Sequence, residues 1–143
     1  MVACFAAALI VGPAAAQELR YLDAAAVAAL PQKTAEDGMK IRMLANGGGV
    51  AAVRVAVPPN ADIQPHGHPP GKVALVTVLS GSIELALGDR FDAARLRLVR
   101  AGEMVVLRAS DGKHYARTGT GGAELLLVAV PPETVGPGLL EAR

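Results

Sequence analysis

The chain carries three histidines, and their spacing suits a metal site: His66 and His68 form a His-x-His pair, and His114 follows one strand pair later. If residues 63–68 are extended, side chains two apart point to one face, so the two imidazoles project side by side into one space. Imidazole accepts Zn, Fe and Ni alike, so the expected ion is a divalent metal cation, with Fe, Zn, Mn and Ni not told apart. The same residues also read as loop histidines in the Pro/Gly-rich stretch QPHGHPPG, and both readings stand at this point.

The elements that must position these side chains read as mostly β. A short helix is expected at residues 23–30, with Asp23 as N-cap and Pro31 just past its end. Strand-like runs follow at 39–44, 50–57, 63–65, 73–79, 83–87, 96–99, 104–107, 114–117 and 124–130. Breakers separate them, among them Ser80-Gly81, Gly88-Asp89, Ala101-Gly102 and the run Gly119 to Gly122. Short strands at this even spacing imply a sandwich or barrel.

Residues 2–12, VACFAAALIVG, form an apolar run too short to span a membrane, followed by Pro13-Ala14-Ala15-Ala16 and polar Gln17-Glu18. This reads as a signal peptide over 1–16, although no Lys or Arg precedes the apolar run. The expectation is a periplasmic or secreted protein with no stable membrane insertion after cleavage. The one cysteine, Cys4, lies inside that segment, so residues 17–143 can build neither a disulfide nor a thiolate metal site. Hydrophobic residues make up 52% of the chain, enough for one packed core in a single domain. Fourteen basic and thirteen acidic residues are interspersed and nearly cancel, which excludes the clustered basic face of a nucleic-acid binder. With two Phe, two Tyr and no Trp, stacking on sugars or bases is not the main recognition mode.

Residues 60–81 and 102–118 together resemble the two motifs of the cupin superfamily, with its RmlC-like β-barrel, and residues 76–92, VTVLSGSIELALGDRFD, resemble its secreted small single-domain members. In that family the first motif runs Gly, five residues, His-x-His, a few residues, Glu, six residues, Gly. Here Asn60 stands for the first Gly, followed by His66, His68 and Gly81; Asn tolerates left-handed backbone better than other non-glycine residues. The second motif runs Gly, five residues, Pro-x-Gly, two residues, His, three residues, Asn. The chain offers Gly102, then Arg108-Ala109-Ser110, then His114 after one extra residue, and Thr118 for the Asn. The resemblance implies an all-β fold, a cupin-type double-stranded β-helix (jelly-roll-like barrel) with a short N-terminal helix. The expected layout is a signal peptide at 1–16, helix and linker at 17–38, barrel at 39–132 and a tail at 133–143. It also implies His66, His68 and His114 as metal ligands in the barrel mouth, and a homodimer paired through residues 39–57.

The chain departs from the pattern where the family keeps its Glu: Ala74 occupies that place, and no carboxylate lies between Asp62 and Glu84. Two outcomes follow. Three histidines can still hold a divalent metal, as in the thiol dioxygenase branch, where His alone ligates the iron and open positions remain for substrate or oxygen. Alternatively the site has lost its metal and the histidines line a pocket, with Lys72 nearby repelling cations. Gln64 shares strand parity with the pair, and Arg108, if inward, could grip a carboxylate; as a strand-end residue it would be solvated. Tyr115, next to His114, should face the other way.

No serine sits between elbow glycines, and Gly47 to Gly49 is not followed by GK[ST], so neither a hydrolase triad nor a phosphate loop is present. The function that follows is a secreted cupin-domain protein binding a divalent metal, a small molecule, or both, with its activity unassigned. The alternatives are metal-dependent oxygenase or isomerase chemistry on a small polar substrate, and a metal-free binding or sensing module.

Overall fold

A computed structural model describes residues 21–141; the expected signal segment, 1–16, lies outside the described residues. Helix α1 (Ala24–Ala28) starts where the Asp23 carboxylate accepts a hydrogen bond from the Ala26 amide at 2.8 Å. It is shorter than the 23–30 expectation. None of its residues is buried, so no tertiary packing sustains a longer helix.

Eight antiparallel strands follow. They are β1 (Gln32–Thr34), β2 (Lys40–Gly47), β3 (Val50–Val57), β4 (Asp62–His66), β5 (Val73–Leu87), β6 (Arg97–Arg100), β7 (Met104–Arg108) and β8 (His114–Val130). The chain closes with a short helix, α2 (Pro137–Leu140). The exposed three-residue β1, which lacks any apolar alternation, has no counterpart in the sequence reading.

The breakers at Ser80-Gly81 and Gly119 to Gly122 do not end strands. They bend β5 and β8, each of which runs through both layers of the barrel. The part of β8 from Ala123 onward pairs with β3 and with the first half of β5, which also pairs with β7. The part from His114 to Thr118 pairs with β4 and with the second half of β5, which also pairs with β6. One layer is therefore β1-β2-β3-β8-β5-β7 and the other β4-β8-β5-β6, with the core between them. That core is aliphatic, built around Val55, Val57, Val78, Ile83, Val99 and Leu125.

Where the two paired long strands shift register, glycine is a steric requirement. Gly81 has φ of 71° and a Cβ there would lie 2.3 Å from the Gly122 carbonyl oxygen. Gly122 has φ of 65° and its Cβ would lie 2.7 Å from the Val57 carbonyl oxygen. Both conditions forbid a side chain. Among the described residues no helix is long and apolar enough to cross a membrane.

Candidate metal centre

The pocket begins with the turn that leads into β4. Asn60 sits at φ of 54°, the one non-glycine residue with positive φ among those described, and its amide donates to the Gly119 carbonyl at 3.0 Å. Thr118, 2% exposed, pins the same turn from beneath. Its hydroxyl donates to the Pro58 carbonyl at 2.6 Å and accepts from the Ala61 amide at 3.1 Å. The residue that replaces the family's Asn thus ties the β3–β4 turn to β8, and β4 carries the histidine pair onward from there.

Along β4, Ile63 pairs with Ala116, but His66, and not Pro65, pairs with His114. One extra residue is accommodated on β4, a bulge of the kind that re-aims side chains. Ile63, on the core face, and His66 therefore lie on one face although their spacing is odd. Gln64 loses the parity that the plain alternation gives it. It is exposed and lines a surface hollow with Glu36, Asp37 and Asp62, which His66 borders.

The three imidazoles come together. Ring centroids are 4.2 Å apart for His66 and His114, 4.8 Å for His68 and His114, and 6.3 Å for His66 and His68. His66 Nδ1 lies 2.8 Å from the Gln64 carbonyl oxygen; a carbonyl only accepts, so Nδ1 carries the proton and Nε2 keeps its lone pair. Burial, reinforced by His66 and then His68, pushes the His114 imidazole down to about 3. Burial and then His66 lower His68 as well. Desolvation favours the neutral ring, the form that ligates metals.

His68 Nε2 is buried with no hydrogen-bond partner. A buried polar nitrogen left unpaired is costly and calls for a ligand, ion or water. The donor set of neutral imidazoles fits a divalent late first-row cation in type. The rings are not yet aimed as a filled coordination shell. His68 and His114 stack within 15° of parallel, and in-plane lone pairs of two parallel, offset rings have no common point. Among the described residues no group of three or more His, Cys, Asp or Glu side chains already converges on one ion. Ring rotation about the side-chain torsions is the adjustment a metal would require.

Ala74 is wholly buried and shares the core face of β5 with Val76 and Val78. The remaining candidates lie elsewhere. The Lys72 ammonium donates to the Gly49 carbonyl in the β2–β3 turn, so its charge is committed there. Arg108 pairs with Val73, one residue out of phase with Ala74, and so belongs to the outer face. Its Nε meets Asp111 Oδ1 at 3.0 Å and its Nη1 donates to the Leu140 carbonyl at 3.3 Å. Tyr115 faces away from His114: its ring centroid is 5.2 Å from that of Phe91, and its hydroxyl donates to the Asp92 carbonyl at 3.2 Å.

Beside the histidines a hollow of about 660 Å³ opens between the edges of β6 and β7. Leu85, Leu87, Val105 and Leu107 form its wall, and Arg95 and Arg97 are its charged residues. Leu87 is the direct strand partner of His114. The sequence reading passes over this hollow. In LRLV the alternation suggests Leu96 and Leu98 as the inward pair, whereas the β5–β6 register places Val99 opposite Ile83 and Arg97 opposite Leu85.

No protein-family model matches the chain, and the search of curated proteins found no significant relative. Solved structures do resemble it. KdgF from Halomonas sp. superposes with a TM-score of 0.58 at 20% identity, covering 71% of this chain and 87% of that one. An RmlC-like cupin from Shewanella frigidimarina gives 0.58 at 17%, covering 75% and 88%. The cupin domain of Cnp3 from Schizosaccharomyces pombe gives 0.58 at 14%, covering 75% and 68%. At these identities the likeness establishes the fold, which is that of the cupin and RmlC-like domains, and carries no activity with it.

Proposed function

We propose that this cupin-fold chain binds a divalent late first-row metal through His66, His68 and His114 and uses the adjoining barrel mouth to hold a small molecule. The observation that carries the reading is the buried, unpartnered Nε2 of His68 in a cluster where the His114 ring centre lies 4.8 Å from that of His68 and 4.2 Å from that of His66. A bound metal would supply Lewis acidity and open coordination positions. With no carboxylate in the set, the ion keeps more of its charge than a site with an acidic ligand would leave it. The chain's own residues supply the rest: Gln64 fixes the His66 tautomer through its carbonyl, and burial keeps His114 neutral.

Calorimetric titration of untagged, chelator-stripped protein with Zn, Fe(II), Mn and Ni tests this. One ion per chain is expected, with binding abolished by His68→Ala. Absence of stoichiometric binding, or binding that survives His68→Ala unchanged, removes the metal reading.

Action outside the cytoplasm is part of the same proposal, supported by the apolar run and small-residue series over 2–16. So is a homodimer, supported by the stretch of β2 after Arg42. Among the described residues β1 pairs only with Lys40–Arg42, while Met43 and Leu44 are exposed, an open apolar edge of the kind proteins cover. A monomer mass by light scattering at micromolar concentration removes the dimer.

A further inference from the structure

We propose that the hollow between β6 and β7 binds a small organic carboxylate with an apolar body, its carboxylate gripped by Arg97 and its body laid along Leu85, Leu87 and Leu107. This deepens the ligand-binding half of the reading above and does not depend on the metal.

The register places Arg97. Ile83 pairs with Val99, and both belong to the core; Leu85 pairs with Arg97 two residues along, so the arginine stands on the inner face of its layer. Leu85 also pairs with Ala116 on β8, two residues from His114. The arginine, the leucines and the histidines thus share one inner surface. A hollow of about 660 Å³ is in the size range of small-molecule sites, which combine apolar walls with a few placed polar groups.

The electrostatics are one-sided. No acidic residue lines the hollow. Arg54, Arg108 and Arg117 each meet a carboxylate, whereas among the described residues neither Arg95 nor Arg97 has an acidic partner within 4.0 Å. Arg95 lies close to Gly88, where a Cβ would come within 3.3 Å of its Nη1, and the turn carrying it is capped by the Asp92 carboxylate, which accepts from the Ala94 amide at 3.0 Å. Two uncompensated guanidinium groups at the rim of an apolar wall attract a planar carboxylate, which Arg can grip bidentately. Each methylene the wall removes from water adds about fourfold to affinity. The helical turn at the hollow, Ala93–Arg95, already has its N-terminus capped by the Asp92 carboxylate, so a bare phosphate finds charge there but no free cradle at that turn.

Sodium hexanoate, acetate, 1-hexanol and inorganic phosphate, each titrated into chelator-stripped wild-type protein at constant ionic strength and followed by methyl NMR, test the proposal. Hexanoate should saturate with shifts at the Leu85, Leu87 and Leu107 methyls, and the other three probes should bind at least tenfold more weakly. Arg97→Gln should weaken hexanoate about tenfold and Arg97→Lys should recover part of that loss. Because metal is absent throughout, failure of the metal reading leaves these results unaffected. Hexanoate shifts confined to other methyls, equal binding of hexanoate and any control probe, or an Arg97→Gln variant with wild-type affinity would each overturn the assignment. The methyl map on the wild type decides the matter even where a variant does not fold.

Discussion

His66 and His114 are direct partners across the β4–β8 ladder, with ring centroids 4.2 Å apart. The pairing exists because β4 accommodates one extra residue between Ile63 and His66, which turns an even-numbered residue onto the face that Ile63 already occupies. Protonating the His114 ring sets a cation against this close neighbour in a partly desolvated space, so that ring is held neutral.

A pH dependence follows. The folded-state value of His114 is about 3, against 6.5 for the free side chain, so between those limits the unfolded chain binds the proton and the folded chain does not. Stability is complete above pH 6.5 and falls as pH drops toward 3, by about 1.4 kcal/mol per unit. Urea denaturation at pH 7.5 and 5.0, a range that leaves most carboxylates ionised, should show a loss of about 2 kcal/mol from this residue. His114→Gln should remove that slope; an equal loss in wild type and variant would show that the histidine is not responsible.

Thr118→Val keeps shape and removes both bonds of the hydroxyl. The Ala61 amide and the Pro58 carbonyl lose their partner in a place where Thr118 is 2% exposed. The expected cost is about 2–3 kcal/mol, the penalty of buried polar groups left unsatisfied. Hydrogen exchange at the Ala61 and Ile63 amides should quicken more than at Val55. A uniform change across the barrel would mean that Thr118 acts on global stability and not on the turn that leads to the histidines.

How much of this was legible in the sequence depends on what each residue answers to. The Asp23 cap is a local backbone preference that residue type announced, whereas Asn60 at φ of 54° was expected from its place in the cupin pattern, where Asn can stand for Gly. The all-β pattern and most strand positions came from alternation and breakers. Gly81 and Gly122 misled as strand ends, because a glycine that ends a strand and one that lets two paired strands bend in close contact look alike until the partner's carbonyl is known. Gln64 misled and Arg97 went unread for a related reason. A bulge in β4 and the register of β6 against β5 are set by pairing between distant segments, which residue order does not display. Arg108 and Lys72 were drawn toward the site by proximity in sequence, whereas Asp111 and the Gly49 carbonyl hold them on other surfaces.

The glycines separate steric from torsional cost. Gly81→Ala drives a Cβ to 2.3 Å from the Gly122 oxygen, and the two strands must part; loss of the folded state, or a drop of several kcal/mol, is expected. Gly102→Ala meets nothing within 4 Å and bears only the penalty of its φ of 86°, about 1–2 kcal/mol. Thermal denaturation of the two variants should rank them in that order by a wide margin. Equal effects would contradict the close approach of Gly81 to Gly122.

Ala74 tests the missing carboxylate. It is wholly buried on the face it shares with Val76 and Val78, where the family pattern sets a Glu beside the histidines. Ala74→Glu should therefore raise divalent metal affinity about tenfold or more, as an anionic ligand joins three neutral ones. In the metal-free state the same change buries a charge among Val and Leu side chains and should lower the melting temperature. Adding metal should then restore more stability to the variant than to the wild type, since binding to the folded state alone raises its stability in proportion to the logarithm of affinity. The gain should disappear in the Ala74→Glu, His68→Ala double variant. A lowered melting temperature with unchanged affinity in calorimetric titration with Zn, Fe(II) and Mn would place residue 74 out of reach of the three imidazoles, and the site would then have to be read as a pocket of histidines alone.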